Sequence, residues 1–417
     1  MLGLERFSAA VKRILAAAFQ AADAGAAVEK YLRANSLPHS ARVFSFGLGK
    51  AACAMTQALA DEIRLTEALV VTKRASFLNL ESVAVLEGNH PIPDDSSLAA
   101  GAAALKFVSR LAPADLLVCL ISGGGSALMV APRIPLADLQ TLTSALLACG
   151  ARIDEINILR RHLDKLKGGG LARSANGARI VSLLLSDVVG DAIETIASGV
   201  VAPDPTTLAD SLAVIEKYNL KDKIPASIIP ALRETLKPND PVFERVQNII
   251  IASNEIALRA AQVQAQRAGF ETKIINANLQ GEARSAGREI AAQLKEALKV
   301  MRRPFCLLAG GETTVTIKGD GKGGRNQELA LAAVNSLAGV KDVALVSIAT
   351  DGEDGPTDAA GAIVTGESAQ RAVALGMSAE DYLARNDAYP FFEALGDLIK
   401  TGSSGTNVND LVLCFAF

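Results

Sequence analysis

Residues 116–128 read LLVCLISGGGSAL, an apolar run of six residues that leads directly into three consecutive glycines between two serines. A short, continuous apolar run bounded by glycine is typical of a strand that is buried on both faces of a parallel sheet. Each glycine costs about 0.5–1 kcal/mol relative to alanine, so its use here is close approach of the backbone. We expect the loop to bind a phosphate or carboxylate group, with tight strand–helix packing as the alternative. Its residues are Ser122, Gly123, Gly124, Gly125 and Ser126.

Similar apolar runs alternate with helical patterns along most of the 417 residues. The predicted strands are Val43–Phe46, Leu69–Val71, Val83–Leu86, Leu116–Ile121, Ile180–Leu185, Asn248–Ile251, Lys273–Ile275, Phe305–Leu308, Thr314–Ile317, Val343–Ile348 and Leu411–Phe415. Helical patterns lie between them, at 51–63, 95–110, 136–148, 254–268, 283–298 and 326–337. This alternation predicts an α/β fold. We expect two Rossmann-like three-layer α/β/α domains, with a mostly parallel sheet in the first and a mixed sheet in the second.

Residues 203–246 interrupt this alternation, because they are rich in proline and contain helical patterns without a strand. We interpret the segment as the connection between the two domains. The predicted domains are therefore residues 1–240 and 241–417, and VQNIIIA (246–252) would be the first strand of the second domain.

Composition excludes several classes of protein. The net charge of −3, the absence of tryptophan and the 4 % of aromatic residues argue against a nucleic-acid partner. The five cysteines are scattered and form no metal-binding pattern, so they are predicted to be buried thiols in a reducing compartment. The N-terminal positions Leu4, Phe7, Val11, Ile14 and Leu15 have helical spacing and are interrupted by charges, which favours an amphipathic helix over a signal peptide.

No apolar run is long enough to span a bilayer. We expect a cytoplasmic protein without a membrane or nucleic-acid partner, present as a monomer or homodimer, that acts on a small molecule.

The first predicted strand runs into FGLGKAA (46–52), in which Gly47, Gly49 and Ala52 match the G-x-G-x-x-A pattern of dinucleotide-binding loops. The fingerprint requires an acidic residue at the end of the next strand, but that strand ends at Lys73 and Arg74. Plain NAD binding is therefore disfavoured, while a phosphorylated cofactor stays open. Lys50 would supply a positive charge beside the loop amides, which favours an anion site; the alternative is an ordinary surface lysine.

Residues 318–328, KGDGKGGRNQE, form a second glycine-rich loop before a predicted helix. We expect Gly323 and Gly324 to let backbone amides reach an anion, Arg325 to supply charge there, and Asn326 to cap the helix. The alternative is a flexible, charged hairpin tip.

Carboxylates follow two predicted strands, Asp187 in SDVVGD and Asp351 in ATDGEDGPTDAAG. Mg²⁺ is usually held by one or two carboxylates together with substrate phosphates, so both residues are candidate metal ligands. Asp-Gly pairs are also plain turn formers. The cation-rich segment RRHLDKLKGGGLA (160–172) is equally explained by ordinary helix capping. Anion-binding backbone, fixed cations and a few carboxylates are together the requirements of phosphoryl transfer.

Nine segments of the chain, in their order, resemble the glycerate 2-kinase (class II glycerate kinase) family. The C-terminal part of this family is known as the MOFRL domain, and its members are often labelled hydroxypyruvate reductase. The nine segments are GLGKAA, GNHPIPD, ISGGGSAL, HLDKLKGGGLA, LSDVVGD, IASGVVAPD, GGETTVTIKGDGKGGRNQE, TDGEDGPTDAAG and GTNVND, and they extend from about residue 40 to residue 413.

The resemblance implies ATP-dependent phosphorylation of (R)-glycerate to 2-phosphoglycerate, with Mg²⁺, in a cleft between two α/β domains. It also implies that Lys50 and Arg325 are the catalytic residues. Two other functions stay open, an NADPH-dependent reductase of hydroxypyruvate and a non-catalytic sensor of a phosphorylated sugar acid.

Overall fold

The computed structural model describes residues 9–76 and 78–417, which form two compact units. One unit is Ala24–Ile251, and the other combines helix α1 (Ala9–Ala22) with Ala252–Phe417. The division therefore differs from the predicted boundary at residue 240. Helix α1 packs on helix α11 (Asn254–Arg267) and buries Val11, Ile14 and Leu15, as its amphipathic spacing predicts. The predicted apolar positions Leu4 and Phe7 lie outside the described residues.

The elements of the Ala24–Ile251 unit follow in chain order. They are α2 (Ala24–Ala34), β1 (Val43–Leu48), α3 (Ala52–Glu62), β2 (Glu67–Thr72), β3 (Val83–Glu87), α4 (Asp95–Val108), β4 (Leu116–Ile121), α5 (Gly125–Leu128), α6 (Leu136–Ala148), α7 (Ile153–Leu163), α8 (Gly170–Ser174), β5 (Arg179–Leu185), α9 (Leu208–Lys217), α10 (Ile228–Ala231) and β6 (Val246–Ala252). Two short 3-10 helices, Ile196–Ser198 and Pro241–Arg245, complete the described part of this unit.

Among the described residues, this unit has one six-stranded sheet with the order β3-β2-β1-β4-β5-β6. The pairs β2–β3, β1–β2, β1–β4 and β4–β5 are parallel, and β4 is buried along its whole length, as its sequence predicts. This is the strand order of a doubly wound Rossmann-like sheet, in which the order reverses between β1 and β4. Ligands bind at such a switch point, beyond the carboxyl ends of the strands. The structure therefore confirms the predicted fold class of this unit and fixes where a ligand is expected.

The segment 203–246 is not the predicted connection. Apolar side chains of α9 and α10, among them Val214, Ile215 and Ile228, are buried against α6 and α7. Strand β6 then forms the edge of the first sheet and does not open the second, because Val246 and Ile250 pack against the core of the first sheet. The proline-rich composition correctly excluded strands there, but it gave no sign that the helices were part of a core.

The second unit continues after α11 with β7 (Glu271–Leu279), α12 (Ala283–Val300), β8 (Phe305–Gly311), α13 (Arg325–Leu337), β9 (Val343–Ala349), β10 (Gly361–Thr365), α14 (Ser368–Ala374), α15 (Ala379–Ala384), α16 (Ala388–Leu395), β11 (Leu398–Ile399) and β12 (Asp410–Ala416). In the described chain its sheet has the order β11-β10-β9-β12-β8-β7. Strands β7 and β8 are parallel, whereas β12 is antiparallel to both β8 and β9. The predicted mixed sheet is confirmed.

The predicted strand Thr314–Ile317 is wrong. This segment leaves the sheet after β8, forms one isolated bridge between Thr314 and Glu282, and exposes Ile317. Strands β10 and β11 were not predicted. No helix within residues 9–76 or 78–417 is long and apolar enough to cross a bilayer.

The close approach of α4 to the chain beyond β4 requires a glycine in the middle of a helix. A β-carbon at Gly101 would lie 2.0 Å from the carbonyl oxygen of Val130, while the Val130 amide donates to the Ser97 carbonyl at 3.1 Å. Both contacts involve backbone atoms, so neither α4 nor the chain at Val130 can move aside at a low energetic cost. The helix is thereby docked against the residues that follow the glycine-rich loop.

We expect Gly101→Ala to lower the thermal unfolding midpoint, although alanine favours a helix by about 1 kcal/mol. Overpacking typically costs about 1–3 kcal/mol, and each kcal/mol lowers the midpoint by about 2–4 °C in a domain of this size. The matched control is Ala102→Gly at an exposed position of the same helix, which reports the propensity effect alone. A midpoint that rises in Gly101→Ala would contradict the close approach.

Candidate active site

The ends of β1 and β4 are joined by hydrogen bonds at the switch point of the first sheet. The Ser122 amide donates to the Leu48 carbonyl at 2.8 Å, and the Lys50 amide donates to the Gly123 carbonyl at 3.0 Å. The buried Ser122 hydroxyl accepts a hydrogen bond from the Ala51 amide at 3.0 Å. Ser122 therefore holds the two glycine-rich loops together, a structural role that the sequence did not reveal.

Packing explains part of the glycine pattern. Gly49 has φ = +121°, and a β-carbon there would lie 2.3 Å from the Ser122 hydroxyl oxygen. A β-carbon at Gly125 would lie 2.7 Å from that of Ala197. Packing therefore explains Gly49 and Gly125. The other two glycines of the loop after β4, Gly123 and Gly124, have a different environment.

Gly123 and Gly124 form the part of the loop that is available to a ligand. No protein acceptor within the described residues is hydrogen-bonded to either amide. Unpaired amides of this kind are rare in folded proteins away from water, and adjacent amides can bind an anion. Gly124 has φ = +88°, which glycine adopts without strain.

Lys50 and His90 lie over Gly124. The position of a β-carbon on Gly124 is 3.4 Å from Cε of Lys50 and 3.5 Å from Cδ2 of His90. Burial lowers the pKa of His90, and the nearby charges of Lys50, Lys73 and Arg160 lower it further. The imidazole is therefore held neutral beside a group of cations. Sequence analysis selected Lys50 but assigned no function to His90.

Asp187 follows β5 and lies on the other side of the loop. A β-carbon on Gly123 would be 1.9 Å from a carboxylate oxygen of Asp187, so the side chain rests directly on the glycine backbone. Asp187, which the sequence suggests as a metal ligand, thus lies beside the loop after β4.

The turn Ile196–Gly199 is a part of the site that sequence analysis missed. Ala197, Ser198 and Gly199 all have left-handed backbone conformations, with φ of +49°, +56° and +63°. Two of them are not glycine, and such conformations cost about 1 kcal/mol or more per residue. The strained turn places the buried Ser198 hydroxyl 2.7 Å from that of Ser126. The segment IASGVVAPD contains this turn, but its sequence gave no sign of the backbone conformation.

In the second unit, Arg325 is held by two carboxylates. Its guanidinium donates to Asp410 at 2.6 and 3.2 Å and to Glu312 at 2.5 Å. Burial by itself lowers the pKa of Arg325, but Asp410 and Glu312 reverse the shift and raise it, so the side chain is permanently charged. Burial also raises the pKa of Asp410, and Arg325 opposes this effect. Asp410 was not selected from the sequence, although GTNVND contains it.

The sheet register explains why these three residues meet. In β12, Asp410 is paired with Gly311 at the end of β8 and with Ala349 at the end of β9. Because β12 is antiparallel to β8 and β9, its first residue lies beside their last residues. Glu312 follows β8 directly, and Arg325 is the first residue of α13.

The predicted anion at the start of α13 is a carboxylate of the protein itself. Asp354 accepts hydrogen bonds from the amides of Asn326 and Gln327 at 3.0 and 2.9 Å. Asn326 does not cap the helix as predicted, because Gly324 has the cap position. Its buried side chain instead accepts a hydrogen bond from Ser347 at 2.7 Å.

The loop before α13 is anchored and is not a free hairpin tip. The amides of Lys318, Gly321 and Lys322 donate to the segment Arg385–Asp387 at 2.7–3.0 Å. Within the described chain, the amides of Gly323 and Gly324 have no hydrogen-bonded protein acceptor. Gly323 and Gly324 therefore resemble Gly123 and Gly124, because the amides of both pairs are available to a ligand.

Asp351, the other candidate metal ligand, follows β9 and accepts a hydrogen bond from the Glu353 amide at 3.1 Å. The described residues contain no group of three or more His, Cys, Asp or Glu side chains that could hold a metal ion by themselves. Asp187 or Asp351 could therefore supply only part of the ligands of a magnesium ion, which usually completes its coordination with water and phosphate oxygens.

The contact between Lys50 and His90 can be tested in solution. We expect Lys50→Met to raise the pKa of His90 toward its ordinary value, because Lys50 is the strongest of the three cations that lower it. Lys73→Met is the matched control and should raise the pKa less. The measurement is an NMR titration of the imidazole, assigned with His90→Gln. An unchanged His90 pKa in Lys50→Met would show that the two side chains are apart.

Comparison with known proteins identifies the family. Residues 10–233 match a family described as a domain of unknown function (DUF4147), and residues 305–410 match the MOFRL family. The chain is 41 % identical to the glycerate 2-kinase of Pyrococcus horikoshii, over 89 % of this chain and 87 % of that protein. It is also 41 % identical to the D-glycerate 2-kinase of Thermotoga maritima, over 89 % and 90 % of the two chains.

The fold agrees with this similarity. A crystal structure of glycerate kinase from Thermotoga maritima matches with a TM-score of 0.91 at 39 % identity, and the match covers 98 % of this chain and 99 % of that one. On the strength of the family match, the sequence identity and the shared fold, the chain belongs to the glycerate kinase family with a MOFRL domain.

Proposed function

We propose that the protein phosphorylates (R)-glycerate at the 2-hydroxyl with ATP as donor, giving 2-phosphoglycerate and ADP. The observation that carries the proposal is the arrangement at the switch point of the first sheet. There, Lys50 lies over Gly124, in a loop where the amides of Gly123 and Gly124 have no protein acceptor among the described residues, and the chain is about 40 % identical to named glycerate 2-kinases.

Phosphoryl transfer depends on positioning and on neutralisation of charge more than on covalent chemistry. In the proposed reaction, Lys50 neutralises charge on the transferring phosphoryl group, and Gly123, Gly124, Gly323 and Gly324 offer amides to phosphate or carboxylate oxygens. Arg325 provides a second, permanently charged group whose orientation is fixed by Asp410 and Glu312. Because a bound guanidinium does not reorganise during the reaction, it stabilises developing charge effectively.

Lys50 and Arg325 belong to different units, and we propose, as the family resemblance implies, that both units contribute to one reaction site. Closure around the substrates would exclude water from the transferring group.

Asp187 is the proposed ligand of Mg²⁺ on the side of the first loop, with Asp351 as the second candidate. The contact of the Asp187 carboxylate with Gly123 fits this role, because it places a hard oxygen ligand beside the amides that would bind phosphate. When bound, the metal supplies charge neutralisation on the phosphate oxygens. Asp187 is also the candidate acceptor of the proton of the glycerate hydroxyl.

The proposed activity is tested by a coupled assay. Purified protein with (R)-glycerate, ATP and Mg²⁺ should release ADP, and phosphorus NMR of the product should show the phosphate on the 2-hydroxyl. The alternative reductase is tested in parallel with hydroxypyruvate and NADPH, whose absorbance should not change. If NADPH is oxidised and no ADP is released, the kinase hypothesis is wrong and the reductase hypothesis takes its place.

The role of Arg325 is tested by substitution. We expect Arg325→Ala to lower kcat by about 10³ or more, the range seen when a phosphoryl-stabilising arginine is removed. Asp410→Asn keeps the shape of the buried partner and removes its charge, so the arginine stays but is held less firmly, and kcat should fall less. Glu312→Gln removes the more exposed partner and should have the smallest effect. Turnover of Arg325→Ala near that of the wild type would contradict the role.

A further inference from the structure

Arg160, in the last turn of α7, is a partly buried arginine that has no acidic partner among the described residues. Its one hydrogen bond within the described chain is to Oδ1 of Asn157, at 3.5 Å, and no carboxylate of the described residues lies within ion-pair distance. Burial lowers its pKa. The neighbouring buried cations differ: Arg161 is paired with Asp204 at 3.0 Å, and Lys167 with Asp164 at 2.9 Å.

A partly buried charge without a counter-ion loses part of its hydration, and a carboxylate would replace that loss better than the amide of Asn157 does. In the same segment, Arg161 and Lys167 each have a nearby aspartate as counter-ion. The missing partner at Arg160 therefore points to an anion that arrives from outside the protein.

The position of Arg160 relates this anion to the glycine-rich loop. Asn157 Oδ1 accepts hydrogen bonds from both Arg160 and Ser198, and the Ser198 hydroxyl is 2.7 Å from that of Ser126. On the other side, Arg160 is among the cations that lower the pKa of His90, and His90 rests against Gly124. Arg160 thus lies beside Ser126, with which it lines one cavity, and close enough to His90 to influence its pKa.

The shape of the guanidinium favours a carboxylate. Arg160 and Ser126 line one small cavity, whose other walls include the apolar side chains of Val130 and Leu163 and the paired side chains of Asp164 and Lys167. A planar carboxylate matches a guanidinium in size and can accept two parallel hydrogen bonds from it.

We propose that Arg160 binds the carboxylate of the acceptor acid, and that the protein thereby selects hydroxy acids over neutral polyols. The inference rests on the proposed glycerate kinase activity and adds the residue that recognises the acid. The strained turn at Ser198 has a role in this arrangement, because it holds the hydroxyl that links Asn157 to Ser126.

The test compares Arg160→Met and Arg160→Lys with the wild type. We expect the KM for glycerate to rise about a hundredfold in Arg160→Met, from the loss of charge-assisted hydrogen bonds, while the KM for ATP changes less than about threefold. Arg160→Lys should recover only part of the loss, because lysine cannot make two parallel hydrogen bonds. Glycerol, in which a hydroxymethyl group replaces the carboxylate, should be used equally poorly by the wild type and Arg160→Met.

Two controls separate recognition from folding. Arg152→Met removes the same charge at the opposite end of α7, where Arg152 forms an exposed ion pair with Asp154, and it should leave both KM values unchanged. Added guanidinium ions should partly restore glycerate use in Arg160→Ala, which a purely structural role would not permit. The thermal unfolding midpoint of each variant is measured alongside.

The outcomes are distinct. If the wild type releases no ADP with glycerate, the proposed function itself fails. If the wild type is active and Arg160→Met keeps its KM for glycerate, only the present inference is overturned. An increase confined to the KM for ATP would also overturn it and would assign Arg160 to the nucleotide.

Discussion

The Ser122 hydroxyl joins the first turn after β1 to the first turn after β4, and the geometry of the first site depends on this hydrogen bond. It brings the Ala51 backbone so close to the loop that a side chain at position 49 would overlap Ser122. Lys50 is then directed across Gly124, where it meets His90. The doubly wound sheet supplies the place for a ligand, and the serine fixes the distance between the two loops that border it.

The second unit orients its cation by a different device. Strand β12 runs against its neighbours, so its first residue, Asp410, lies between the ends of β8 and β9. A buried carboxylate at that position is unfavourable unless a cation pairs with it, and Arg325 does so through two hydrogen bonds. The pairing constrains the arginine more than exposed ion pairs do, because the aspartate has no freedom to move with it. In the mixed sheet, the antiparallel direction of β12 thus positions Arg325, whereas in the parallel sheet the glycine-rich loops position Lys50.

The sequence was sufficient for those features that depend on local pattern. Helix α6 has the predicted bounds 136–148, and the buried strand β4 has the predicted bounds 116–121. The predictions that failed concern features that depend on partners distant in the chain. The anion at α13 is Asp354, 28 positions beyond Asn326, and no spacing rule connects the two. The left-handed turn at Ala197 and Ser198 is imposed by tertiary contacts, since neither residue type favours that conformation. The segment 203–246 looked like a connection because it is rich in proline and has no strand pattern, and only the contacts with α6 and α7 show that its helices belong to a core.

The two glycine-rich loops look alike in sequence, and their contacts show that they are built for different tasks. In the loop before α13, backbone amides are already committed to Asp354, Arg385 and Asp387, and the helix start is filled by a carboxylate of the protein. What remains for a ligand there is the pair Gly323–Gly324 and the Arg325 side chain. In the loop after β4, the open amides lie near a neutral histidine, Lys50 and the carboxylate of Asp187, and Arg160 is nearby without an acidic partner among the described residues. The two cations thus outnumber the one carboxylate at the first loop, whereas the second loop has an arginine whose charge is already shared with two carboxylates. A substrate that carries a fixed carboxylate has a stronger electrostatic reason to bind at the first loop, and the tethered Arg325 is better suited to charge that develops during the reaction.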